Sequence, residues 1–269
     1  MKLKSSLYFL LPLLLLLTAC DLEKAIDVEL PPHEAQLVVE CYLEPGKPMR
    51  ATVLESVSYF DEPQPPLVPD AEVFITYNGK TTRLNYAPFI DKEINKFYTH
   101  RSDELVEGKP GEMYSLEVKD GKGRRVTGFT TMLPRVPIDT LEYRFNEKEE
   151  ALLLTSYQDD PNSRNFYRYM THIDSLHEGS DREFTVSDEL TNGTRVTLGS
   201  AYDYDKGDSL TVTLYHIEEQ YYNFLRSTSD AKNANGNPFA QPSKIASTVQ
   251  GGIGVFTNLA YDRQTVIIK

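Results

Sequence analysis

Between Gln36 and Met132 the chain repeats one pattern: a short stretch of alternating apolar and polar residues, then a turn signal. A period of two puts successive side chains on opposite faces of a strand and cannot build the apolar stripe of a helix. The pattern predicts strands over residues 37–43, 51–57, 72–77, 81–85, 97–100, 113–119 and 125–131. Asn78-Gly79 joins the third and fourth as a two-residue hairpin turn, which asks for positive φ at both central residues. Asp120-Gly121-Lys122-Gly123 is a second tight turn, and the four prolines between Phe60 and Pro69 mark a loop or edge crossing. About seven or eight short strands over about 95 residues is the count of an immunoglobulin-like sandwich. The run Lys109-Pro110-Gly111-Glu112 before Met113-Tyr114-Ser115-Leu116 resembles the turn and tyrosine-bearing late strand of such domains.

Pro134 and Pro137 interrupt any ladder and set a boundary, so the expected organisation is a sandwich over 36–133 and a second β domain over 138–269. The second part predicts strands at 140–145, 151–157, 166–173, 182–186, 195–199 and 209–215, with closing strands at 253–256 and 265–268. Only around Ile217 does the period change. Ile217, Tyr221, Tyr222, Phe224 and Leu225 fall at helical spacing, with Glu218 and Glu219 in the first turn and Arg226 in the last, so one amphipathic helix is expected over 217–227. The fold class expected is all-β with one helix.

The first residues read as an export signal in three parts. Lys2 and Lys4 supply a positive start, and Leu7 to Leu17 is apolar apart from Tyr8 and Pro12, about half the length needed to span a membrane. Leu17-Thr18-Ala19-Cys20 then resembles the bacterial lipobox, whose cysteine takes up diacylglycerol. The alternative is an ordinary signal peptide with an incidental cysteine. Each buried methylene contributes about 0.8 kcal/mol, and stable anchoring takes more than one chain. Two or three chains on Cys20 would hold residues 20–269 at a membrane, with the acidic stretch from Asp21 to Ala35, containing Pro31-Pro32, as a tether.

Composition narrows the partners. The formal charge is -12, and losing Lys2 and Lys4 takes it to -14. With no Lys or Arg run to reverse it, such a surface disfavours nucleic acid. Cys20 and Cys41 are the two cysteines, so acylation of Cys20 leaves no disulfide framework. Alternation places Cys41 with Leu37, Val39 and Leu43 on one face, as a small buried residue rather than a reactive thiol. Trp is absent and Tyr numbers 17, so a sugar-binding platform would have to be built from tyrosines near Tyr202 and Tyr204 or Tyr221 and Tyr222.

Other chemistry is weakly signalled. Asp203, Asp205 and Asp208 are candidate calcium ligands, since oxygen ligands at alternating positions suit a hard cation, but the loop lacks a late bidentate Glu and equally reads as a solvated turn. On a strand His172 and Asp174 share a face while His177 does not, and no third zinc ligand sits at a telling spacing; His100 and His216 are isolated. Gly251-Gly252-Ile253-Gly254 precedes strand-like residues rather than a helix, which points to a turn or a close backbone approach instead of a phosphate loop. Asp159-Asp160 and Glu149-Glu150 are carboxylate pairs of the kind an acidic surface carries. No catalytic residue and no cofactor is expected.

Several segments in order resemble the domain-of-unknown-function family 4249 of Bacteroidota lipoproteins. They are the lipobox with Asp21 and Glu23, Leu37-Val38-Val39-Glu40, Asp70-Ala71-Glu72-Val73, and Asp160-Pro161 followed by Asn165-Phe166-Tyr167-Arg168. Gly207-Asp208-Ser209-Leu210, Tyr221-Tyr222-Asn223-Phe224-Leu225, Asn237-Pro238-Phe239 and Gly251-Gly252-Ile253-Gly254-Val255-Phe256 complete the set. Members are frequently encoded beside TonB-dependent outer-membrane receptors. The resemblance therefore implies an accessory lipoprotein of nutrient uptake with no established catalytic residue. It also favours reading Asp21 and Glu23 as a surface-export signal over the inner-membrane retention an Asp after the cysteine signals in enterobacteria. A stand-alone glycan-binding module and a carboxylate-based hydrolase are the competing expectations.

Overall fold

In the computed structural model the described residues are 33–58, 64, 66–234 and 244–269. Among the described residues there are sixteen strands and one helix, an all-β fold with a single helix. Leu37–Leu43 (β1), Pro48–Glu55 (β2), Glu72–Tyr77 (β3), Lys80–Asp91 (β4), Lys96–Leu105 (β5), Met113–Lys119 (β6) and Arg125–Thr131 (β7) come first. The order β14-β7-β6-β3-β4-β5-β2-β1-β15 joins them with two strands from the chain end, Val249–Gln250 (β14) and Ile253–Asn258 (β15).

This sheet folds onto itself at β4. Leu84 and its preceding residues pair with β3, whereas Asn85 onward pairs with β5, with an irregularity between Tyr86 and Phe89. The inward faces then meet: Leu37, Val39, Cys41, Leu43, Ala51 and Val53 pack against Val73, Ile75, Leu116, Val118 and Val126, all buried. Each such aliphatic side chain contributes about 1.5–3 kcal/mol on leaving water. Asn78 and Gly79 both have positive φ, at 47° and 77°, as the hairpin turn requires.

The parallel pairing of β15 with β1 runs from Val38↔Ile253 to Leu43↔Asn258. It depends on glycine. A Cβ at Gly254 would sit 1.9 Å from the Val39 carbonyl oxygen, and one at Gly251 2.1 Å from that of Arg125. The glycine run is thus a close backbone approach with strand following it.

Thr140–Phe145 (β8), Ala151–Gln158 (β9) and Arg195–Tyr204 (β12) form a three-stranded sheet in the order β12-β9-β8. Phe166–Ile173 (β10), Arg182–Ser187 (β11), Ser209–Ile217 (β13) and Ala260–Ile267 (β16) form a four-stranded one in the order β11-β10-β13-β16. Their facing sides bury Leu153, Tyr157, Tyr167, Tyr169, Tyr204, Leu210, Val212 and Leu214. On the other face of the four-stranded sheet the helix Glu219–Ala234 (α1) seats the fully buried Tyr221 beside Phe166, Tyr215, Ile217 and Val255. The helix starts two residues later than its apolar spacing predicts and runs seven further, through a polar stretch that carries no hydrophobic period.

The proline segment between β7 and β8 is pinned along its length. The Leu133 N–H donates to Asn258 Oδ1 (3.2 Å), the Ile138 N–H to Asp262 Oδ2 (2.8 Å), and the Pro134 carbonyl accepts from His216 Nδ1 (2.9 Å). Residues Ala35–Lys269 form one compact unit.

Candidate functional site

The outer face of the four-stranded sheet does not face open water. Alternation along β10 points Arg168, Met170 and His172 outward, and the register aligns them with Tyr215, Thr213 and Thr211 of β13. Tyr215 and Thr213 align in turn with Tyr261 and Arg263 of β16. Opposite stands the outer face of the first sheet, with Tyr42 on β1, Arg50 on β2, Asp91 at the end of β4, and Lys96 and Tyr98 on β5. Between the two walls lies a cleft of about 320 Å³, closed by Tyr221 and Leu225 of α1, Leu259, and the β10–β11 loop at Leu176, Gly179 and Ser180. His177 in that loop donates from Nδ1 to the Lys92 carbonyl in the β4–β5 turn (3.0 Å), a strap between the walls. The volume is at the lower end of the range of small-molecule sites, about 300–1,000 Å³.

Cations and tyrosines gather here although the chain as a whole is strongly acidic. Arg50 is held by two carboxylates, donating to Glu44 Oε1 (3.1 Å) and to Asp91, and its guanidinium lies 4.7 Å from the Tyr98 ring centroid. Asp91 sits below the usual carboxylate range: burial opposes this, and its hydrogen bonds from Arg50 and backbone amides outweigh burial. Lys96 pairs with Glu40 (2.9 Å) over the Tyr42 ring. Arg168 donates to Glu183 (2.7 Å from Nη2) and to the Tyr221 hydroxyl (2.9 Å).

Arg263 differs from these three. It donates from Nε to Thr213 Oγ1 (2.9 Å) and from Nη2 to the Tyr215 hydroxyl (3.4 Å), it stacks over Tyr261 at 4.8 Å, and among the described residues it has no carboxylate partner. His172 nearby is 5 % exposed, and its Nδ1 has no hydrogen-bond partner. Burial first, and then the charge of Arg263, push its imidazole below the ordinary range, towards the neutral form. Burial raises the Tyr42 and Tyr215 hydroxyls and lifts Tyr221 to about 12, so the tyrosines stay protonated and can donate.

The residues singled out from the sequence fall mostly elsewhere. Cys20 and its tether up to residue 32 lie outside the described residues, as do Asn237, Pro238 and Phe239. Asp203 is inside β12 and ion-paired with Arg182, while Asp208 accepts the Asp205 N–H (2.8 Å) to close a turn. Among the described residues no three His, Cys, Asp or Glu side chains group as metal ligands. Tyr204 is fully buried with its hydroxyl on Thr171 (2.8 Å) and Tyr221 is 1 % exposed, so neither tyrosine pair forms a surface platform; Tyr202 is exposed.

Cys41 is fully buried, and burial pushes its thiol up to about 12. Asp159 accepts from the Tyr167 hydroxyl and from the Gly193 N–H (2.7 Å), Asp160 holds the turn at Asn162, and Glu149 pairs with Lys206. A depression of about 300 Å³ beside Asp70 is internally satisfied, Asp70 accepting from the Gly121 N–H (2.9 Å) and Glu72 pairing with Arg83. Of the sequence candidates, His172 and Tyr221 line the cleft. Its other members were signalled, weakly, by Arg168-Tyr169-Met170 and Tyr261-Asp262-Arg263, where an arginine shares a strand face with another long side chain.

A family model, Domain of unknown function (DUF4249), matches residues 23–265. The chain belongs to this family. No curated protein matches this chain at a significant level. Among solved structures, a cytokine receptor complex is similar over 68% of this chain and 86% of its own, at 11% identity and a TM-score of 0.27. An alpha-2-macroglobulin mutant from Salmonella is similar over 76% of this chain and 15% of its own, at 14% identity and a TM-score of 0.23. Both are too distant to bear on the fold. Among the described residues no helix is long and apolar enough to cross a membrane.

Proposed function

We propose that this DUF4249 protein is a non-enzymatic lipoprotein of the outer membrane, held at the cell surface by acyl chains on Cys20, which captures a small ligand beside a TonB-dependent transporter. The observation that carries this reading is the cleft: a recess of small-molecule size, walled by two sheets and lined with tyrosines and basic side chains. The anchor is supported by the three-part leader ending Leu17-Thr18-Ala19-Cys20, the surface display by Asp21 and Glu23, and the partner by the gene neighbourhood of the lipoproteins this chain resembles. A binding rather than a catalytic role is supported by the state of the acids in the cleft. Of the three that line it, Glu44 and Asp91 are both held on Arg50 rather than poised as an acid and base.

Affinity purification of the tagged full-length lipoprotein from solubilised outer membranes tests the partnership. A TonB-dependent receptor is expected to co-purify, and its absence would count against the reading. Cys20→Ser is expected to move the protein to the soluble fraction and abolish labelling by palmitate; retention of both in the variant would remove the anchor.

A further inference from the structure

Building on the cleft as a capture site, we propose that its ligand is a small organic anion, a carboxylate or phosphate monoester on an apolar body, with the anionic group seated on Arg263. The apolar body would lie against Met170, Leu225 and Leu259, which line the same recess.

The argument is one of unequal satisfaction. Arg50, Lys96 and Arg168 each have a carboxylate partner, and Lys47 is solvent-exposed. Arg263 is half-buried on the floor of the cleft and meets only neutral hydroxyls and a ring face. A guanidinium has five N–H donors in a planar fork matched to carboxylate and phosphate oxygens, and two donors are engaged here. A partly desolvated cation without a counter-charge is costly, and an arriving anion removes that cost. The protonated hydroxyl of Tyr215 adds a donor at the same place.

His172 supplies a second, independent sign that the recess has an occupant, because its buried Nδ1 is unpartnered and native interiors rarely leave such atoms so. A cationic ligand fits less well. Glu44 and Asp91 on the facing wall are both already engaged by Arg50, and five basic side chains line the recess against three acids.

The test is calorimetric titration of the full lipoprotein in nanodiscs with phenyl phosphate, phenylacetate and, as the charge-reversed control, benzylamine. The two anions are expected to bind and benzylamine not. Arg263→Gln is expected to weaken the anions by about tenfold or more, the scale of a lost charge-assisted hydrogen bond. Arg263→Lys keeps the charge without the fork and is expected to fall between, and Arg83→Gln, on the outer surface, to leave affinity unchanged. Equal binding of benzylamine, failure of both anions to bind, or undiminished anion binding by a folded Arg263→Gln protein would overturn the proposal. Anion binding lost with the receptor still co-purifying removes the ligand class alone; the converse removes the partnership and keeps the ligand.

Discussion

The two β layers of the molecule are stabilised by different chemistry. In the N-terminal sandwich the core is mostly aliphatic: Leu37, Val39, Val53, Val73, Ile75, Leu116 and Val118 meet with Tyr114 and Phe256 as the large buried aromatics. Between the three- and four-stranded sheets, Tyr157, Tyr167, Tyr169 and Tyr204 occupy the equivalent position. Their hydroxyls bring hydrogen-bond requirements inside, met by Asp159 for Tyr167, Thr155 for Tyr169 (3.0 Å) and Thr171 for Tyr204. An aliphatic core tolerates exchange of equal volumes, whereas a hydroxyl-bearing core fixes which side chain faces which.

Three measurements would break or sharpen this contrast. The largest effect is expected from Leu37→Ala, which empties a fully buried site in the aliphatic core; urea unfolding should show a loss of about 2–5 kcal/mol. Next, Tyr167→Phe keeps the ring and deletes one hydroxyl, leaving the buried Asp159 short of a donor, and the same assay should show a loss of about 1–3 kcal/mol. If Tyr167→Phe costs nothing, the tyrosine-rich core is packed by area alone and the contrast fails.

The smallest effect concerns pH. His100, His172 and His216 are each held below the ordinary 6.5, burial being the leading cause in every case. Below pH 6.5 the unfolded chain therefore binds more protons than the folded one, so stability falls with pH and keeps falling until each imidazole is protonated in place. The melting temperature should drop between pH 7.5 and 5.5. His100→Gln should shrink that drop less than a change at both His172 and His216, which belong to the C-terminal layers.

The same contrast explains what could be read from the sequence. Strands β1, β3, β6 and β7 fall on the residues their alternation predicts, because one face is apolar and the other polar. β4 and β5 outrun their predicted limits, since Ala87-Pro88 sits at an irregularity that alternation treats as an end. β12 likewise continues past Gly199 through shifts in register to the buried Tyr204, which takes Asp203 into strand and leaves Asp205 and Asp208 in the turn after it. The two-residue β14 leaves no period to detect. The cleft was hidden for a different reason. Its residues are spread from Tyr42 to Arg263 and meet only because two outer sheet faces, each amphipathic enough to pass for solvated, are turned towards one another.

The parallel seam between β1 and β15 also imposes a timetable. The first of the described strands holds as a neighbour one more than two hundred residues downstream. Until Ile253–Asn258 emerges, the nascent chain carries β1 with one side unpaired, an invitation to promiscuous strand addition. Such long-range closure is slow. The strand that a holding chaperone would need to shield is then β1, and translation that stops before Ile253 would release a protein in which that strand is left unzipped.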